Sequence, residues 1–440
     1  MRDLLIAGIV AGLLPFAVMY TWVGVLLWNW ISLMNPHKLA FGFAVEAPIA
    51  AVAGGAALLS LVLGRDKLRM PKAAPVIVLF IFVAWMCITT ALAFDPAGSW
   101  EQLNKVLKIQ LMTAVAFAAI QSRKHIELLI WVGILSIGFY GFKGGIFTIL
   151  SGGGHRVWGP PGSFIEDNNA LAVALIMTIP LINYLRVVST RPIVRHGLFV
   201  LMLLSAVAAF GSHSRGALLA ITAMTAILWF RSGKKLLAGS VLIVIASCLI
   251  AFMPASWEAR MSTIQTYEED NSAVSRLEAW RMCFNLANDR PIGGGFAIYT
   301  TQTYAKYSPK FTLPQAAHSI YFSVLGEHGW IGLFLYLLLG VLSYRTGSRI
   351  RRETKSVPQA AWAYNLAGMC QVSLIGFAVG GAFLSLVYFD YTYNIIVVLV
   401  ATQRWVTERG WEKEPTGAFG SGNPIAGKAL AAARSKQVAA

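Results

Sequence analysis

Charge is scarce in this chain. Only 13% of its 440 residues are Asp, Glu, Lys or Arg, where a soluble globular protein carries about 25%. Acids are the scarcer sign, 20 against 36 bases, for a formal net charge of +16. With so little polar sequence there is no basic soluble domain to hold a nucleic acid, and none is expected as a partner. Cysteine is also sparse. Cys87, Cys248, Cys283 and Cys370 stand far apart without a CxxC pair, which excludes a structural zinc site. Only Cys283 falls in the longest polar segment, so that segment closes no disulfide of its own. HExxH, a Walker-type loop and a nucleophile elbow are all missing, so neither a catalytic metal nor ATP is expected.

What the sequence has in quantity is apolar residues, 57% of the total. They come in blocks of roughly 17–25, the length that crosses a bilayer as a helix. The fold class is therefore an all-α integral membrane protein; a β-barrel would need short alternating strands. Spans fall near 41–63, 74–94, 104–121, 127–150, 170–186, 197–211, 215–230, 236–253, 319–344, 361–380 and 388–405. Residues 3–34, broken by Pro15 and by the polar "YTW" at 20–22, read as one interrupted crossing or a short hairpin. With both ends cytoplasmic the number must be even, so this stretch crosses once net, for about 12 transmembrane helices.

Basic clusters set the orientation. Arg65 to Lys72, Arg123 and Lys124, Arg186 to Arg195, Arg231 to Lys235, and Arg345 to Lys355 fall at every second loop, as cytoplasmic loops do. The alternate loops, 95–103, 151–169, 211–215, 254–318 and 381–387, then face outward. The tail 406–440, rich in Gly, Ala and Lys, reads as cytoplasmic and disordered.

Three outward places hold residues capable of chemistry. The first is "HRVWGPPGSFIEDNNAL" at 155–171. Arg156 is a cation there, and Glu166 to Asn169 stand at the mouth of a helix, where Asp167 or Asn168 can simply be its cap. The second is "GSHSRGALL" at 211–219, with Arg215 between two apolar runs. It is either a side chain snorkelling to the interface or an anion ligand, since the planar guanidinium fork suits phosphate oxygens. The third is the loop 254–318, from which an amphipathic helix is expected between Ser272 or Ser275 and Asn288. Arg276 and Trp280, four apart, share one face of it. Arg260, Arg276 and Arg281 are also ordinary solvated cations with acids close by in sequence. His318 ends this loop at the entrance of a span, and an imidazole there is either structural or a proton acceptor. Glu327 and His328 lie deeper; being one apart on a helix, they should not face each other.

The order of these pieces resembles the O-antigen ligase and polymerase superfamily. The matching residues are Arg156 with Gly162 to Asn169, "SRG" at 214–216, "RLEAW" at 276–280 with "PIGGGF" at 291–296, and "HSIYFSVLGEHGWIG" at 318–332. The resemblance covers about residues 155–340. The N-terminal "LLWNWISLMNPHKLAFGF" is similar to a subgroup labelled O-glycosylation ligases. After the His the family often has Asn; this chain has Ser319.

The resemblance implies a GT-C-type glycosyltransferase of the bacterial inner membrane, with a large periplasmic helical loop and its active site facing the periplasm. The chain then divides into N-terminal helices (1–150), a ligase core (151–345) that includes the loop 254–318, C-terminal helices (346–405) and the tail. The donor would be O-antigen on undecaprenyl diphosphate and the acceptor a lipid A–core sugar hydroxyl, both held in membrane lipid. Transfer would be inverting and metal-independent, with no cofactor and no obligate protein partner. His318, Arg215 and Arg276 would be catalytic; Arg156, Arg260, Arg281 and Asn169 would bind substrate. An O-antigen polymerase or a protein O-oligosaccharyltransferase uses the same chemistry. A transporter of lipid-linked glycan is the reading from another class, and would call for internal pseudo-symmetry and charges near mid-membrane.

Overall fold

In the computed structural model, which describes residues 1–231, 235–255, 257, 271–310 and 313–413, every regular element among the described residues is helical. The first apolar stretch divides at Tyr20, whose extended backbone separates α1 (Arg2–Met19) from α2 (Thr21–Met34). α1 begins beside residues 39–44: Arg2 donates to the Leu39 carbonyl, and Asp3 accepts from the Gly42 and Ala44 amides. It ends beside Arg65, whose amide donates to the Met19 carbonyl. Asp66 accepts from the Thr21 amide at 2.6 Å where α2 starts. α1 and α2 thus run antiparallel, and α3 (Ile49–Leu63) turns back again. Residues 3–34 are a hairpin rather than one net crossing. The chain starts at the end of the bundle opposite the basic loop 65–72.

Next come α4 (Ala74–Ala91), α5 (Pro96–Ala119), α6 (Arg123–Leu150), α7 (Asn168–Val188), α8 (Pro192–Gly211), α9 (Arg215–Arg231) and α10 (Lys235–Phe252). Their starts follow from sequence. Asp95 accepts from the Gly98 amide with Pro96 in the first turn, and Ser122 accepts from the His125 amide, each satisfying a donor the helix cannot. After the polar segment come α11 (Asn271–Asp289), α12 (Thr301–Tyr307), α13 (Ile320–Thr354), α14 (Ala361–Gly380), α15 (Asp390–Thr407) and a turn, α16 (Gly410–Lys413). Residues 406–413, expected in the disordered tail, are thus partly helical; 414–440 lie outside the described residues.

By length and composition, 7 helices among the described residues can cross a membrane: α1, α4, α6, α7, α8, α13 and the stretch around α14. α2, α3 and residues 215–230 are shorter apolar helices. α7 and α15 are buried on every side and form the centre of the bundle. Ser32 of α2 bonds to Asp390 of α15, Asn394 of α15 to Asn29 of α2, and Tyr140 of α6 to the Met34 carbonyl. Such polar pairs tie the N-terminal helices to the core where lipid offers no partner.

α13 is 35 residues long, about 52 Å at 1.5 Å per residue. It carries Arg345 to Arg352 on its own last turns, where the sequence suggested a loop. It is broken at Gly329, whose φ of 68° and ψ of −166° are not helical. The glycine turn 291–296 packs into that break. Gly294 and Gly295 amides donate to the Gly326 and Glu327 carbonyls at 2.9 Å each, and the Trp330 amide donates to Pro291 at 3.0 Å. The His328 carbonyl takes the Trp85 indole at 2.9 Å. A Cβ on Gly329 would run into the Pro291 carbonyl oxygen, besides holding a positive φ that side chains resist. Gly329→Ala should therefore destabilise the protein by about 1–3 kcal/mol, read as a lower thermal midpoint in detergent. Gly197→Ala, where a Cβ meets nothing within 4 Å, should leave the midpoint unchanged.

Candidate active site

Four pieces of chain meet at the end of the bundle where α7, α9 and α13 begin. Asp167 caps α7 by accepting from the Asn169 and Ala170 amides. That is one of the two readings of this loop, and the same carboxylate also holds the Asn169 side chain at 2.9 Å. Asn168 is buried and donates to the Ser212 carbonyl at 2.6 Å, which ties the start of α7 to the turn between α8 and α9.

That turn explains the "SHSR" residues. His213 takes a left-handed φ of 56°, and its Nε2 meets the Gly153 carbonyl at 2.8 Å. Ser212 bonds to Ala209, and Ser214 accepts from the Ala217 amide at 3.1 Å as the cap of α9. The three polar neighbours of Arg215 thus build a tight reversal that sets a half-buried arginine on the first turn of α9. Gly216 beside it leaves room for Phe383, 3.4 Å from where a Cβ would stand.

α11 brings the third piece. The Trp280 indole donates to the Ala317 carbonyl at 2.7 Å. Its ring stacks on Phe322 at 4.9 Å and lies 6.2 Å from Phe383. A run of contacts therefore leads from Gly216 through Phe383 and Trp280 to Ala317, the neighbour of His318. Arg276 sits one turn before Trp280 on the same face.

His318 is half-buried with a left-handed φ of 45°. Burial first, and the Arg276 guanidinium second, hold its imidazole below the usual range, while Asp167 pulls it the other way. Burial and the Arg276 charge both favour the neutral ring, the form able to accept a proton. Ser319 caps α13 through the Tyr321 and Phe322 amides. Asn fills that role equally well, which accounts for the departure from the family's usual residue.

Arg281 is paired with Glu278 at 2.8 Å and is 59% exposed, as a solvated helix face requires. Arg156 is exposed in its loop, and Trp158 with it. Arg260 lies outside the described residues. Tyr304 and Tyr307 are packed inside the loop's own apolar cluster with Met282, Leu286 and Ile298, and Tyr299 lies against that cluster.

Two features were not legible in advance. Phe383, on the 381–383 turn, stands between Gly216 and Trp280, and one aromatic in a short loop carries no signal. Glu327 and His328 do meet, through a third residue: the Tyr388 hydroxyl donates to Glu327 at 2.7 Å and lies 2.8 Å from His328 Nε2. Thr89 holds the other ring nitrogen at 2.7 Å. The break at Gly329 makes this possible, and "GEHG" was its trace in the sequence.

Residues 200–337 match the family described as O-Antigen ligase, and residues 1–190 match a family of unknown function (DUF5935). Comparison with curated proteins finds no match. The first match takes in Arg215, Arg276 and His318; Arg156 and Asn169 fall in the second. The match over residues 200–337 supports the O-antigen ligase superfamily, and at a coarse level a glycosyltransferase-like activity of the ligase or polymerase type.

If Ser319 acts as a cap, Ser319→Ala should cost about 1 kcal/mol, and Ser319→Asn should restore the thermal midpoint. Equal loss in both variants would point to a role for the hydroxyl itself.

Proposed function

We propose that the protein is an O-antigen ligase, moving a glycan from undecaprenyl diphosphate to a lipid A–core sugar hydroxyl at the periplasmic face. The carrying observation is the half-buried His318 at the mouth of the bundle, its imidazole held below the usual range by burial and by the Arg276 charge. His318 takes the proton of the acceptor hydroxyl as its oxygen attacks the anomeric carbon. The new bond forms opposite the breaking bond to phosphate, so the anomeric configuration inverts. Undecaprenyl diphosphate leaves with the negative charge. Arg215 and Arg276 stabilise that charge as a divalent ion would, acting where it develops. The positive end of α9 adds to the field at Arg215. Arg156 and Asn169, at the facing loop, are proposed to steer the glycan.

The lipid side of the reading rests on a cleft of about 490 Å³ between α13, α14 and α15. It begins at Ile320 and Tyr321, just past His318, and runs along α13 to Tyr344 and Arg345. Its apolar wall suits a polyprenyl chain whose diphosphate reaches the arginines. Both substrates are then held by the bilayer, and the gain from positioning is large.

Purified protein given lipid-linked donor and lipid A–core should form the new glycosidic bond. A polymerase would instead lengthen the lipid-linked glycan, and a transporter would form no bond. In this assay Arg215→Ala and Arg276→Ala should each lower the rate by about 10²–10³-fold, and His318→Ala by about 10²–10⁴-fold. The pH profile gives a sharper test. Arg276→Gln removes a positive neighbour, so the imidazole pKa rises and the acid limb of kcat/KM moves to higher pH. Asp167→Asn removes a negative neighbour, and the limb should move the other way. Shifts of the same sign in both variants would contradict the base assignment.

A further inference from the structure

A second cavity, of about 440 Å³, lies at the opposite end of the bundle, between the start of α6, the end of α7 and the start of α8. Its rim is cationic. Lys124 and Arg191 line it, both are exposed, and no ion pair among the described residues takes up either. Arg123 lines it too, but is neutralised by Glu127 at 2.8 Å and lies over the Trp362 ring. α8 begins there with Pro192 in its first turn and no side-chain cap, so its first amides and the positive end of a 20-residue helix face the same rim.

Below the rim the wall is apolar, built from Leu128, Trp131, Leu185 and Val194. The surface beside it is apolar and exposed: Ile193 is 81% exposed and Leu135 56%. A cationic rim over an apolar slot, at the end of the bundle where basic residues gather, complements one class of molecule. We propose that this crevice binds an anionic glycerophospholipid, its phosphate between Lys124 and Arg191 and an acyl chain along Trp131 and Leu185. A soluble phosphate would leave the apolar wall uncovered. The chain's own last segment does not complement the rim, since residues 414–440 carry Lys428, Arg434 and Lys436 against the single acid Glu414. The site is separate from the catalytic reading and does not depend on it.

The test uses the full-length protein in detergent, titrated with phosphatidylglycerol, phosphatidylcholine or inorganic phosphate, and read by native mass spectrometry and thermal midpoint. Phosphatidylglycerol should be retained and raise the midpoint; the other two should not. Lys124→Ala with Arg191→Ala should weaken retention roughly thirtyfold, and the milder Lys124→Gln alone roughly fivefold. The wild-type comparison of the two lipids stands even if the double variant fails to fold. Equal retention of phosphatidylcholine, the same stabilisation by inorganic phosphate, or undiminished binding in folded variants would overturn the proposal.

Discussion

A helix that breaks inside a membrane protein exposes backbone groups that lipid cannot satisfy, and each one left alone is costly. The break at Gly329 is answered by another stretch of chain. The 291–296 turn and Trp85 take up the Gly326, Glu327 and His328 carbonyls, and Pro291 takes up the Trp330 amide. The consequence reaches beyond stability. The polar segment between α10 and α13 is docked onto the bundle at this point, and α11 leads directly into the docking turn. Where Arg276 and Trp280 stand relative to His318 is set by how that turn seats in the break.

The same turn is stitched to a third element. The Phe94 amide donates to Gly294, and Arg290 bonds to the Leu92 carbonyl while lying over the Phe94 ring. The buried Glu327, Tyr388 and His328 set joins α13 to the stretch before α15, and Thr89 brings in α4. A polar network of this kind is high-stakes in a low dielectric, and fully partnered it fixes one arrangement. These residues hold the frame, at whose mouth Arg215, Arg276 and His318 stand half-buried.

Much of this was legible in the sequence because it rests on local rules. Apolar runs gave the helices, "SRG" the start of α9, and "RLEAW" one face of α11, which begins at Asn271 rather than at Ser272 or Ser275. The cap of α7 was narrowed to Asp167 or Asn168, and it is Asp167. What was hidden depends on contacts far apart along the chain. The break at "YTW" shows in the sequence, but not that the 65–66 turn would bond the Met19 carbonyl and the Thr21 amide on either side of Tyr20. Glu327 and His328 meet because Tyr388, some 60 positions away, bridges a kink that helical spacing does not anticipate. Arg281 is withdrawn from the site by an acid three residues earlier, a pairing that composition allowed but did not select.

The central proposal is electrostatic: that the guanidinium groups of Arg215 and Arg276 hold a diphosphate and take the place of a divalent ion. Equilibrium binding of sugar-free undecaprenyl diphosphate and undecaprenyl monophosphate, both in EDTA, tests it without any turnover. The account predicts that the diphosphate binds more tightly, and that replacing Arg215 or Arg276 by Ala erases the difference. Binding that needs added Mg²⁺, or a preference for the diphosphate that survives both substitutions, would contradict it.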